Sequence, residues 1–271
     1  MDAVKTTSTS AAEADFLRFR QARHRYVTSP QGPLALVSTT EIDSERTIDG
    51  VPGVWAPIPG GGAGVRVTAV ATDGIRVDGD LVDGTVDIAG SNTVVPATLE
   101  FGGGVTGTVY PGLEGHYIVR VWDPANAKAE SFDRISAYDF KPDWVLEGTF
   151  TPTEKRAIGI EHIKDDGRLR DEVLPGDIDV VIGGQSRTLA AFEDEGKLLL
   201  VFQDLTTGDE TYDVGRFLAV RPRRDGTVEL DFNRAYIPPC GFSDWFNCPM
   251  PPQQNRFVFP VDAGEKRVLS V

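Results

Sequence analysis

The chain has 271 residues, with 27 Lys and Arg against 41 Asp and Glu, for a formal net charge of −14. On average so acidic a chain disfavours nucleic-acid and membrane-surface partners, whose phosphate backbones and anionic bilayers clustered positive charge binds, a local basic patch being the exception that the average does not remove. With 29 Gly and 18 Pro among 40% apolar residues, it has enough apolar material for a core and too many helix breakers for an all-α fold.

No run approaches the roughly 18 apolar residues of a transmembrane helix, and the opening stretch MDAVKTTSTSAAEAD has no apolar h-region. A cytoplasmic location is the default expectation. Residues 1–9 are small and polar and are expected to be disordered. Ser10 and Glu13 have capping-box spacing, predicting a helix over 10–28. Phe16, Phe19, Ala22 and Tyr26 share its apolar phase, with Arg23 as the charged exception. Arg18, Arg20 and Arg25 form a basic face that reads as solvated and paired with acidic neighbours.

Beyond Pro30 the pattern becomes short β runs, at 34–38, 65–71, 75–78, 81–88, 93–99, 105–110 and 116–122. Asp73-Gly74, Asp78-Gly79 and Asp83-Gly84 mark tight turns. The tracts Gly60 to Gly62 and Gly102 to Gly104 lack the lysine and hydroxyl of a phosphate loop, so no nucleotide cofactor is indicated. A connector at 123–143 separates a β subdomain over 30–125 from another over 126–271. In the second, runs at 144–150, 156–163, 177–182, 187–193, 197–203, 211–220 and 227–232 read as strands, the last four as an antiparallel meander. The fold expected is mainly β, an antiparallel barrel or sandwich with one N-terminal α-helix.

Alternation points charges inward. Tyr212, Val214, Arg216, Leu218 and Val220 share one face. Val228, Leu230 and Phe232 lead in phase to Arg234, and Leu198, Leu200 and Phe202 lead to Asp204. A guanidinium on an apolar face needs a carboxylate, a carbonyl or a ligand. Two readings stay open: an internal ion-pair network of Arg216 or Arg234 with Asp204, Asp231 or Glu265, or a pocket where arginine forks hold a carboxylate or phosphate.

The segment 233–262 is rich in proline and holds both cysteines, Cys240 and Cys248, with Phe242, Trp245 and Phe246 between them. The cysteines read as structural thiols or a disulfide, as part of a metal site with one of His24, His116 and His162, or as a nucleophile. None of the three histidines has ligand spacing, so no metal is assigned.

The motifs here are specific. Asp204, Thr206 and Gly208 are followed by Thr211, Tyr212 and Gly215 to Leu218, then by Asp231 to Tyr236 and Pro238 to Cys240. Cys248, Pro249, Pro251, Pro252, Asn255 and the run Ala263 to Glu265 complete the set. With them the chain resembles the bacterial family known as domain of unknown function 1684, and Arg18, Arg23 and Pro30 match more weakly. Ile237 stands where that family usually has Asn. The resemblance implies a compact domain with a site near 231–265, and names no reaction.

The site expected there uses Arg216, Arg234, Asn233 and Tyr236 as polar contacts to a small anionic molecule, with Trp245 as an apolar wall. Glu265 or Asp231 would serve as base if a hydrolysis or isomerisation takes place. The alternative is a non-enzymatic module that offers Phe242, Trp245 and Phe246 to a protein partner.

Overall fold

The computed structural model describes residues 2–90, 97–112, 115–194 and 196–271. They fall into two units: Arg25–Ser131, and the N-terminal helix up to His24 joined to Phe132–Val271. The helix α1 spans Asp2–Val27, so it takes in residues expected to be disordered. Nothing between Asp2 and Glu13 stops a helix, since that stretch holds neither Gly nor Pro. Among the described residues no helix is long and apolar enough to cross a membrane.

In the unit 25–131 the strands are β1 (Leu36–Ile42), β2 (Arg46–Ile48), β3 (Val51–Pro57), β4 (Gly64–Ala69), β5 (Arg76–Val77), β6 (Asp80–Leu81), β7 (Gly84–Ala89), β8 (Leu99–Glu100), β9 (Thr106–Pro111) and β10 (Tyr117–Trp122). They form an antiparallel sheet in the order β1-β10-β9-β8-β5-β6 and another in the order β2-β3-β4-β7. Trp55, Val67, Ile88, Val109 and Val119 fill the core. Most of the strand expected over 93–99 lies outside the described residues. Sequence periodicity missed β2 and β3, because Pro52 and Gly53 break the look of a strand. A short helix, α2 (Ala127–Ser131), ends the unit.

The second unit follows with β11 (Phe132–Ala137), β12 (Val145–Glu161), β13 (Leu169–Ile182), β14 (Gln185–Ala190), β15 (Phe192–Asp194), β16 (Lys197–Phe202), β17 (Arg216–Val220), β18 (Thr227–Asp231) and β19 (Glu265–Ser270). Its sheets run β14-β13-β12-β18, β15-β16-β17 and β11-β19. All ladders are antiparallel, and the sheets stay open, so the fold is sandwich-like and not a closed barrel. Ile178, Leu189 and Leu230 from one sheet meet Leu200, Phe202 and Leu218 from another in one core cluster. The runs read at 144–150 and 156–163 are a single strand whose register slips between Pro152 and Arg156, where proline cannot donate to the ladder.

Two features of this unit position the site. Strand β17 starts at Arg216 and not at 211, because Gly215 turns the chain with φ +109°, where a Cβ would sit 2.4 Å from the Phe202 carbonyl. Strands β17 and β18 have their ladders with β16 and with β12 and lie beside each other with no ladder between them among the described residues, while Phe217 on the free edge of β17 bridges to Tyr236.

Candidate functional site

The inward arginine of β17 closes on the protein itself. Arg216 is fully buried; its Nη2 donates to Asp204 Oδ2 at 2.7 Å and to the Val261 carbonyl at 2.7 Å, while its Nη1 donates to the Ala263 carbonyl. Its guanidinium lies 5.2 Å from the Phe202 ring centroid. Asp204 is satisfied in turn: Oδ1 accepts from the Thr206 backbone at 2.8 Å, from the Thr206 hydroxyl at 2.6 Å and from Val261 N at 3.1 Å. Both Nη atoms of Arg216 and both oxygens of Asp204 are spent on protein partners, and Nε alone is unbonded among the described residues, so the arginine closes on the protein and is not the ligand contact expected of it.

Glu265 is also removed from the expected site. Fully buried, it accepts from Arg23 Nε at 2.9 Å and Arg23 Nη2 at 3.1 Å, and from Ile237 N at 2.8 Å. Arg20 Nη1 stands 3.2 Å from the same carboxylate, and Arg20 Nη2 donates to the Ile135 carbonyl at 2.7 Å. Both arginines come from α1. A carboxylate ringed by two guanidinium groups and a backbone donor has no proton-acceptor duty left, so Glu265 anchors the helix and is no base. Of the face expected to be solvated, Arg20 instead turns inward to join Arg23, the charged exception on the apolar phase.

Asn233 is buried and brackets the chain, donating to the Lys141 carbonyl at 2.9 Å while its Oδ1 accepts from Lys141 N at 2.8 Å. It serves the backbone, not a ligand. Tyr236 packs its ring against Phe217, 5.9 Å between centroids, with the Arg23 guanidinium 4.6 Å above it. Phe242 is only 2% exposed and Phe246 is half-buried, so the three-aromatic anchor expected for a protein partner is not formed. Trp245 alone is open, 45% exposed with Lys164 Nζ 5.9 Å from its ring. Cys240 and Cys248 are both buried thiols in an apolar cluster with Phe192, Val201 and Phe217.

Arg234 and Asp231 do meet open space. Strand β18 ends at Asp231, whose carboxylate accepts from Asn233 N at 3.1 Å and so caps the 3-10 turn Phe232–Arg234. That turn breaks the alternation, which brings Arg234 to the surface where a continued strand would have buried it. Arg234 Nε donates to Asp231 Oδ2 at 3.1 Å and its Nη2 pairs with Asp15 of α1. Burial raises the Asp231 carboxyl above the usual range, opposed by its bonds from Asn233.

Beside these two residues the facing edges of β17 and β18 open into a groove of about 280 Å³, lined by Leu218 to Arg221, Arg223, Glu229, Asp231 and Arg234. Its exposed lining is mainly polar, since Leu218 and Val220 belong to the buried core cluster. Phe217 spends its backbone groups on Tyr236, and Ala219, two residues on, directs its own to the same edge and so toward the groove. Arg223 reaches Glu229 at 3.6 Å and Glu147 at 3.9 Å, both exposed. Arg221 makes no hydrogen bond or ion pair among the described residues. Sequence reasoning missed Arg221 and Arg223, although Arg221-Pro222-Arg223-Arg224 is a basic cluster in an acidic chain.

Residues 130–266, just over half of the chain, match the model of a family described as protein of unknown function (DUF1684). Among solved structures, the solution NMR structure of an uncharacterized protein from Haloarcula marismortui is 37% identical, over 50% of this chain and 77% of that one, with a TM-score of 0.41. No curated protein matches the chain. The groove and both ion-pair networks, except for the α1 side chains, fall within the matched residues.

Proposed function

The chain belongs to the DUF1684 family, and we propose that it acts in the cytoplasm by binding a small anionic molecule, a carboxylate or a phosphate, in the groove between β17 and β18. The observation that carries this reading is Arg221, a guanidinium at the groove that meets no carboxylate among the described residues, beside Arg223, which stands 3.6 and 3.9 Å from its carboxylates. Of the three groove arginines, Arg234 is met by Asp231 and Asp15 and Arg223 by Glu229 and Glu147, so Arg221 is the cation that the groove offers to an anion. Planar guanidinium forks suit carboxylate and phosphate oxygens.

Chemistry on the bound anion, a hydrolysis or an isomerisation, would fall to Asp231. It is the groove carboxylate whose affinity for a proton burial has raised, as a general acid or base requires.

Calorimetric titration with inorganic phosphate, pyrophosphate, succinate and citrate tests the reading. The native protein is expected to bind at least one of them. The Arg221→Ala/Arg223→Ala double variant is expected to lose about tenfold or more in affinity, with an unchanged melting temperature because both side chains are exposed. Binding that is equal in the double variant, or absent from the native protein for every probe, overturns it.

A further inference from the structure

A second chemistry, independent of the groove, lies in the proline-braced excursion. Cys240 and Cys248 are 7% and 5% exposed, and their thiols are hydrogen-bonded to each other, with the Tyr212 hydroxyl bonded to Cys240. They are the chain's only cysteines. We propose that Cys240 and Cys248 form a site of reversible thiol oxidation, converted by a small peroxide into an intrachain disulfide.

The geometry holds both sulfurs in place while the bond forms. Cys240 lies in a 3-10 turn fixed by Gly241 N to the Pro238 carbonyl at 2.9 Å and Phe242 N to the Pro239 carbonyl at 3.0 Å. Cys248 is held by its carbonyl, which accepts from Ile163 N at 3.0 Å, and Met250 N donates to the Glu161 carbonyl at 2.8 Å. Ile160, Leu174, Phe192 and Phe217 wall the pair in. At 7% and 5% exposed, the pair suits an oxidant of peroxide size better than a bulky disulfide.

The sulfurs have separate parts. Cys240 is assigned the attack from its place in the 3-10 turn beside the Tyr212 hydroxyl, whose hydrogen bond joins that of Cys248 in lowering the thiol against burial. Its thiolate attacks one peroxide oxygen, the O–O bond breaks, and hydroxide leaves as Cys240 becomes a sulfenic acid. The Cys248 sulfur then attacks the sulfenic sulfur, the S–O bond breaks, and water leaves with the Cys248 proton. In sum two thiols and one hydrogen peroxide give one disulfide and two waters. A dithiol reductant reverses the change by exchange.

The test is peptide-level mass spectrometry of the full chain, reduced and then treated with stoichiometric hydrogen peroxide. The expected product is a cross-linked peptide pair joining Cys240 to Cys248, lighter by two hydrogens and restored by dithiothreitol. In Cys248→Ser the sulfenic acid has no partner, and dimedone should label Cys240. In Cys240→Ser, labelling of Cys248 should be about tenfold slower or more. Circular dichroism establishes that each variant is folded. Two thiols that survive peroxide and alkylate after denaturation would sink the proposal, as would a sulfinic acid on Cys240 or an intermolecular disulfide in the native protein. Equal dimedone labelling in the two variants would overturn the assigned roles.

Discussion

Arg23 and Glu265, 242 residues apart in sequence, meet as a two-pronged ion pair at 2.9 and 3.1 Å with the carboxylate fully buried. The pair couples α1 to the first residue of β19, and Arg23 extends the coupling by donating to the Ile237 carbonyl at 3.2 Å. Removing Glu265 would leave the part-buried Arg20 and Arg23 without their shared counter-charge, whereas removing Arg23 leaves Glu265 with Arg20 and Ile237 N. Glu265→Gln is therefore expected to cost about 3–5 kcal/mol and Arg23→Met less, since breaking a buried pair leaves an uncompensated charge. Urea denaturation of both variants measures the difference; equal losses below about 1 kcal/mol would contradict the anchoring role.

Arg216 and Asp204 predict a separation of stability from binding. Arg216→Met strips Asp204 of its cation and leaves the carbonyls of Val261 and Ala263 without their donor. The expected loss is about 3–5 kcal/mol of stability, with anion affinity of the folded fraction unchanged. Denaturant melts and calorimetry at a temperature where the variant is still folded check both halves. A variant as stable as the native protein but unable to bind anions would return Arg216 to the site.

What was legible in the sequence was local or periodic. Alternation sent Arg216 and Asp204 inward, and they do pair, because Phe202, the last residue of β16, lies opposite Arg216 and Asp204 follows it two residues on in the same phase. The same count failed at Arg234, since the capping carboxylate of Asp231 ends the strand and starts a turn that periodicity cannot register. Strands β11 and β19 were invisible because they pair over a long sequence separation, Phe132 with Ser270. The partner of Glu265 was hidden for the same reason. Its one signal was Arg23, a charge on the apolar phase of a helix, the pattern that marked Arg216 in a strand. Arg221 escaped because it is exposed and lies one residue past the end of β17, outside the strand alternation, and the groove it lines is made by the placement of two sheet edges.

Gly264 is the narrowest point in the motif that ends at Glu265. With φ +83° it passes so close to the preceding chain that a Cβ would lie 2.6 Å from the Ala235 carbonyl and 2.8 Å from that of Phe232. Its neighbours, Ala263 and Glu265, each belong to one of the ion-pair networks, so a shift here disturbs both. Gly264→Ala is expected to cost about 2–4 kcal/mol, combining backbone strain with overlap. Gly184, with φ +73° and nothing within 4 Å, is the control and should cost only about 1 kcal/mol on substitution by Ala. Thermal melts that rank the two variants equally would show that overlap contributes nothing.

His162 gives the protein a pH dependence whose sign can be worked out. Burial lowers its proton affinity below the ordinary 6.5, Arg170 adds to this, and Glu172 and Asp165 oppose it from 3.7 and 3.8 Å. Asp165 itself is held at about 2, chiefly by its bond from Arg170, so it stays ionised across this range. The unfolded chain therefore binds a proton at His162 more readily than the folded one. Stability from this group is complete above pH 6.5 and is lost as pH falls below that value toward the lowered folded one. The melting temperature is expected to drop between about pH 7.5 and 5.5, and His162→Gln should flatten that slope even if it lowers the plateau. Parallel curves for the native protein and the variant would mean that some other group carries the dependence.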